Sequence, residues 1–311
     1  MHAKVIDPSN ESSAQRELVR RAGILTPQEG VNLTPVPGVM VIRANSVTQP
    51  LPALYEPSLC FVLQGRKRAE LDGEVYMYDA LHYLVVSVTL PLCSQIIEAD
   101  PQRPYLCLRI GIDVPVIADL LAQLPEVSAE SPEPDRGLYV ARMSDEMFDA
   151  VVRLMKLLDS TQDATVLAPS VLREIHYRAL TGQLGQRLRQ LCNTGANVQR
   201  IARAISLIRA RFADPLRIEA LAQAVHMSSS SLHHHFKSVT SMSPLQFQKH
   251  LRLHEARRLM LADGLDAASA AHRVGYESAS QFNREYRRLF GAPPRREVGS
   301  VGRVAVAEAS V

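Results

Sequence analysis

Two stretches decide the fold: LAQAVHMSSSSLHHHFKSV at residues 221–239 and AAHRVGYESASQFNREYRRLF at residues 270–290. Each reads as a helix, a tight turn and a second helix, with His226 at the first turn and Gly275 at the second. The second turn holds one more residue, so Leu232 corresponds to Phe282 and Phe236 to Tyr286. Between the two units, Ser243 and Pro244 supply a helix cap and first residue, and QFQKHLRLHEARRLMLADG runs to a stop at Gly264. One long helix therefore joins two small helix pairs.

Three adjacent histidines, His233 to His235, pose the first functional question: metal site, catalytic cluster or one face of something else. With Leu232 at zero and about 100 degrees per residue, they project at about 100, 200 and 300 degrees. Three neighbours on a helix point three ways and cannot close around one ion, because helical ligand pairs sit three or four residues apart. The buried side is fixed by Leu232 and Phe236. Ser230, His234 and Lys237 then point outward, with His233 at the edge of that face and His235 flanking the packing. The same projection on the second unit puts Ser280, Arg284 and Arg287 outside, with Asn283 at the edge.

Both outer faces are rows of hydrogen-bonding side chains able to reach bases and phosphates. Arginine can bond guanine through two donors, asparagine suits adenine, and protonated histidine adds attraction to phosphate. A solvated polar face is the alternative for either unit alone; its duplication favours DNA. Charge agrees: residues 197–296 carry 16 Lys and Arg against 7 Asp and Glu, whereas residues 1–196 carry 18 against 23. A basic third follows a mildly acidic two-thirds, which suggests a polyanion-binding module joined to a part with another task.

The stretch from about Ile201 to Arg296 closely resembles the DNA-binding domain of AraC/XylS-type transcription regulators, above all in LAQAVHMSSSSLHHHF, SPLQFQKHLRLHEARRLM and AHRVGYESASQFNREYRRLFGAPP. The resemblance implies that two recognition helices enter successive major-groove segments of promoter DNA. It carries that role onto Ser230, His233 and His234 in the first helix and Ala279, Ser280 and Arg284 in the second. His226 stands where the family usually has glycine. The implied partners are double-stranded promoter DNA, RNA polymerase, a small-molecule effector and a second copy of the chain.

Ahead of that domain, residues 38–110 read as short strands: GVMVIRA, SLCFVLQG, RAELDGEVYMY, HYLVVSV, SQIIEA and YLCLRI. Asp72-Gly73, flanked by Leu71 and Val75 and by Ala69 and Met77, marks a hairpin. Prolines 50, 52, 57, 91, 101 and 104 fall between the runs. A small antiparallel barrel or sandwich is expected, then a helix over 113–124, a Pro- and acid-rich loop over 124–137, and helices from Ser144 onward. The stripe Leu172, Ile175, Ala179, Leu184, Leu188 and Leu191 either packs on the barrel or forms a dimer seam. EPSLCFVLQGRKRAEL, HYLVVSVTLPL, RPYLCLRI and LREIHYRALTGQLGQRLRQL are similar to the cupin-like N-terminal domain of one AraC subgroup, which implies an effector-sensing barrel. MYDALHYL lacks the glycines usual there.

An enzyme is the competing class, since such barrels can hold a metal through a His-x-His pair with a later Glu and His. Here His82 is the only histidine between His2 and His176, so no metal, no cofactor and no catalytic residue is expected. A thiol sensor is a further alternative, using Cys60, Cys93 and Cys107 in or beside strands; buried cysteine is otherwise an apolar filler. The four cysteines contain no CxxC pair, no run approaches 18 apolar residues, and no export signal opens the chain, so a cytoplasmic protein without a membrane partner is expected.

The expected fold is thus α+β: an N-terminal antiparallel cupin-like β-barrel followed by helices, then an all-α domain with two helix-turn-helix units. The expected boundaries are an extension over 1–30, the barrel over 31–142, a helical linker or dimerisation segment over 143–196, the DNA-binding domain over 197–296 and a flexible tail over 297–311.

Overall fold

The computed structural model describes residues 13–80, 82–124, 136–183, 185–190 and 197–300. A helix, α1 (Ser13–Leu25), precedes strands β1 (Gly30–Leu33), β2 (Val39–Ala44), β3 (Leu51–Tyr55), β4 (Ser58–Gln64), β5 (Arg66–Leu71), β6 (Glu74–Asp79), β7 (His82–Val86), β8 (Leu90–Glu98) and β9 (Tyr105–Gly111). Next come α2 (Val114–Gln123), β10 (Leu138–Arg142), α3 (Asp145–Leu157), α4 (Thr161–Thr181) and α5 (Gly185–Gln190). The C-terminal helices are α6 (Asn197–Ala210), α7 (Ile218–Ala224), α8 (Ser229–Thr240), α9 (Pro244–Ala262), α10 (Ala267–Arg273), α11 (Ala279–Phe290) and α12 (Pro294–Ser300). No helix among the described residues is long and apolar enough to cross a membrane.

The strands form two antiparallel sheets, ordered β1-β2-β9-β4-β7-β10 and β3-β8-β5-β6. The expected barrel is therefore realised as two sheets sharing one core, without a ladder that closes them. Asp72 and Gly73 both take positive φ, 52° and 80°, the geometry of a two-residue hairpin turn. That turn pairs Leu71 with Glu74, which sends Lys67, Ala69 and Leu71 inward and leaves Val75 and Met77 on the outer face. Two prolines read as lying between strands are inside them. Pro52 is on the edge strand β3, and Pro91 pairs with Leu54 of β3, beyond Cys93, where the β8 ladder with β5 ends; neither position asks the missing N–H to serve an inner ladder.

Five elements differ from the sequence reading, among them β1 and β3, edge strands that it left out. The expected extension contains α1, which buries Leu18 and Ala22 against β4, β9 and α3. β10 adds a further edge strand whose Leu138, Tyr139 and Ala141 join the core. The expected tail boundary at 297 falls inside α12, where Glu297 is buried. Of the loop over 124–137, residues 125–135 lie outside the described residues. As expected, Asp113 caps α2 by accepting from the Val116 amide, with Pro115 in the first turn.

In α4, Ile175 and Ala179 are buried in the core where the helix packs on α2, α3 and α5, while Val166 and Leu167 are exposed on its outer side. Leu188 is also buried, and Leu184 and Leu191 lie outside the described residues. The buried, described residues of the stripe thus pack within the chain.

Candidate DNA-binding surface and effector cavity

The two helix-turn-helix units are built alike. Ser228 caps α8 by accepting from the Ser231 amide, and Ser278 caps α11 by accepting from the Gln281 amide. Ser241 and Gly291 end the two helices in the left-handed region, at φ 61° and 79°. Leu232 and Phe236 in one, and Phe282 and Tyr286 in the other, are wholly buried. Each turn also needs a left-handed residue. Gly275 (φ 86°) admits no side chain, because a Cβ there would lie 2.2 Å from the Ala213 carbonyl oxygen; His226 adopts φ 54° without being glycine.

All nine residues proposed from the sequence are exposed: Ser230, His233, His234 and Lys237 on α8, and Ala279, Ser280, Asn283, Arg284 and Arg287 on α11. Counted from the serine caps, Ser230 is equivalent to Ser280, His233 to Asn283, His234 to Arg284 and Lys237 to Arg287. The single acid of α11, Glu285, is drawn to the other side by Lys249 of α9 at 3.0 Å and the Tyr276 hydroxyl at 2.7 Å. No acid lies in α8, so both outer faces are free of carboxylates. The His234 and His235 rings meet edge to face at 5.1 Å.

The spacing between the units is fixed by polar residues of α9 that periodicity could not single out. Arg252 donates to the carbonyls of Phe212, Ala213, Asp214 and Gly275, and Gln248 donates to those of Phe212 and Asp214. They clamp the α6–α7 connection to the second turn. Arg257, buried on the same helix, donates through Nε to Glu297 Oε1 at 3.0 Å, and the Tyr286 hydroxyl donates to Glu297 Oε2 at 2.7 Å. Their sequence signal is weak, since a buried arginine and a solvated one look alike in a charged helix.

In the sensor half, a small, mostly apolar pocket lies among Tyr55, Cys60, Lys67, Tyr105, Cys107 and Arg109. Lys67 is only 4% exposed, and its ammonium lies 5.5 Å from the Tyr55 ring and 5.7 Å from the Tyr105 ring. Arg109 Nε donates to Ser58 Oγ at 3.2 Å, and the Ser58 hydroxyl donates to the Glu56 carbonyl at 2.8 Å. Glu56 Oε2 in turn accepts from Arg209 of α6 at 2.7 Å, and Arg209 also reaches Thr89 Oγ1 at 3.1 Å. Glu56 thus holds Ser58 through its main-chain carbonyl and, through its carboxylate, the helix that packs on α8. Beside it, the Gly137 amide donates to the Val239 carbonyl of α8 at 3.0 Å.

The cysteines separate into two kinds. Cys60 and Cys107 are diagonal neighbours on β4 and β9, since Cys60 faces Arg109 and Cys107 faces Val62. The neighbouring Cys107 thiol holds Cys60 below the ordinary thiol range despite burial, with help from Arg109, Ser58 and Lys67; the same contact and burial push Cys107 up. Cys93, on β8 and partly exposed, is pushed up by burial and by Glu70. His82, the lone histidine of the strand region, contacts Asp79 at 2.7 Å, and no metal-binding cluster occurs among the described residues.

Residues 35–187 match the family model described as the AraC-type transcriptional regulator N-terminus, and residues 221–297 match a helix-turn-helix domain. The chain is 28% identical over 149 residues to the HTH-type transcriptional regulator ArgR of Pseudomonas aeruginosa, covering 48% of this chain and 45% of that one. It is 25% identical over 166 residues to the HTH-type transcriptional activator RhaS of Escherichia coli, covering 53% and 59%. The chain spans about half the length of these relatives. Its fold is similar to that of ToxT from Vibrio cholerae, solved with an unsaturated fatty acid bound: TM-score 0.58 at 9% identity, over 84% of this chain and 93% of that one.

Proposed function

Because the chain belongs to the AraC-type transcriptional regulators, we propose that it binds promoter DNA through α8 and α11 and responds to a small ligand held between its sheets. The observation that carries this reading is the positional equivalence of two exposed, acid-free faces, each presenting four hydrogen-bonding or cationic side chains. Arg284 and Asn283 read bases, Lys237 and Arg287 hold phosphates, and His233 and His234 do either according to protonation. Ser230, Ala279 and Ser280 are short and allow close approach to the groove.

The ligand is an anion with an apolar body. Lys67 and Arg109 supply positive charge inside the cavity, and Tyr55, Tyr78 and Tyr105 supply the apolar walls. A carboxylate there competes with Ser58 for Arg109, and the Ser58–Glu56–Arg209 path transmits the change to α6. The effect is a shift between two placements of the DNA-binding helices. Glu56→Gln is expected to weaken the ligand's effect on DNA affinity while leaving ligand binding intact. The protein acts in the cytoplasm as a homodimer, with Val166 and Leu167 on the outer side of α4 available for pairing, and contacts RNA polymerase at the promoter. Catalysis is no part of this reading.

Sequencing the DNA fragments that copurify with the protein tests the proposal. Enrichment of one motif is expected, and Arg284→Ala is expected to cost about 1 to 3 kcal/mol and relax preference at one base position. Fragments without a shared motif would remove the basis for sequence-specific regulation.

A further inference from the structure

Cys60 and Cys107 are nucleophiles to which the regulatory reading gives no task. They stand on the wall of the same cavity as Lys67 and Arg109, and the Cys60 sulfur lies 3.7 Å from Ser58 Oγ, the atom that also accepts from Arg109. Two cations and two thiols therefore line one pocket, with the Ser58 hydroxyl in contact with one of each. We propose that Cys60 is a covalent capture site for small electrophiles that carry a carboxylate, such as enones or enals bearing an acid group. This rests on reading the cavity as the ligand site.

Lys67 and Arg109 dock the carboxylate and lower the cost of a thiolate beside it. Cys60 gives its proton to water and its sulfur adds to the β-carbon of the electrophile. A C–S bond forms, the carbon–carbon π bond breaks, and the α-carbon takes a proton from water. Nothing leaves, and no oxidant is needed. Cys107 does not react; its thiol proton is given to the Leu108 carbonyl at 3.8 Å and its pKa is pushed up beside Cys60. The adduct takes the place of the thiol beside Ser58, whose single hydroxyl proton is already given to the Glu56 carbonyl, so the bulk added at sulfur presses on Ser58 itself. Capture at Cys60 therefore acts at the head of the path that ends on Arg209.

Cys93 is the internal control: it is more exposed than Cys60, but lies outside this cavity with Glu70 beside it. The full-length chain is treated at neutral pH with iodoacetate, iodoacetamide or β-acetylacrylate, and each cysteine is followed by peptide mass mapping. Cys60 is expected to react with iodoacetate roughly tenfold faster than Cys93. At Cys60 the anionic reagent should also outrun the neutral one, a preference that Lys67→Met abolishes. β-Acetylacrylate is expected to modify Cys60 and leave Cys107 free. In parallel, octanoate binding to the Cys60→Ser chain, read by tyrosine fluorescence, reports on the cavity alone. Octanoate binding with Cys60 slower than Cys93 overturns the capture site and spares the cavity; reaction at Cys60 with iodoacetamide preferred overturns the role given to the two cations.

Discussion

Glu297→Ala is the substitution whose effect the structure fixes most closely. Arg257 is 1% exposed and Glu297 6%. The carboxylate takes Arg257 Nε at 3.0 Å, has Nη2 at 2.9 Å, and accepts from the Tyr286 hydroxyl at 2.7 Å. Removing it leaves a guanidinium inside the second unit with the Phe290 ring, 5.2 Å from its centre, and the Tyr286 hydroxyl as compensation. Loss of one partner from such a buried pair costs about 3 to 5 kcal/mol, a large share of the about 5 to 15 kcal/mol that holds a domain together. Urea unfolding followed by circular dichroism, with the chain ended after Arg296 as a parallel variant, is expected to show this loss in both. Adding Arg257→Met to Glu297→Ala is expected to restore at least half of it, because an apolar replacement removes the stranded charge. DNA binding by Glu297→Ala should keep the contacts of α8 and lose the preference that depends on Arg284. A loss within about 1 kcal/mol for Glu297→Ala would refute the reasoning.

Lys237→Ala and Arg287→Ala should each flatten the slope of log affinity against log salt by about one unit, measured by fluorescence anisotropy on a fixed site. Gly275→Ala is expected to destabilise the chain by more than about 2 kcal/mol, since it combines positive φ with a 2.2 Å approach to a backbone oxygen, whereas His226→Gly should be neutral or stabilising by up to about 1 kcal/mol; thermal melts compare them. Burial, aided by His250 and Arg257, drives His254 down to about 3 from an ordinary 6.5, and neither ring nitrogen has a hydrogen-bond partner. The folded state thus keeps this ring neutral while the unfolded chain protonates. Stability is full above pH 6.5 and falls as pH drops toward 3, by about 2 kcal/mol at pH 5; His254→Leu should remove that component from a pH series of urea melts.

The recognition faces were legible because three signals coincide there: a serine cap, two apolar residues four apart, and the same order repeated after a turn. Tertiary partners were not. Arg257 and Glu297 are 40 residues apart, and PRREVGS carries no apolar period to announce α12. Lys67 was legible in principle, since it shares a strand face with Ala69 and Leu71, yet a lysine in RKRAEL reads first as a solvent group. Cys60 and Cys107 meet only through the β4–β9 ladder, which no local pattern encodes. Sheet closure likewise depends on edges, and the missed β1, β3 and β10 are all edge strands.

The apolar interior that begins between the sheets runs unbroken into α6, α7 and α8, whereas α10 and α11 enclose an interior of their own. Cutting the chain ahead of α6 and grafting the C-terminal third onto a foreign sensor would strip Val239 and Arg209 of the surfaces they were shaped against. The portable cassette is smaller than the textual domain: it is the distal unit hung from α9. New operator preference with the old switch intact is best sought by exchanging that unit alone.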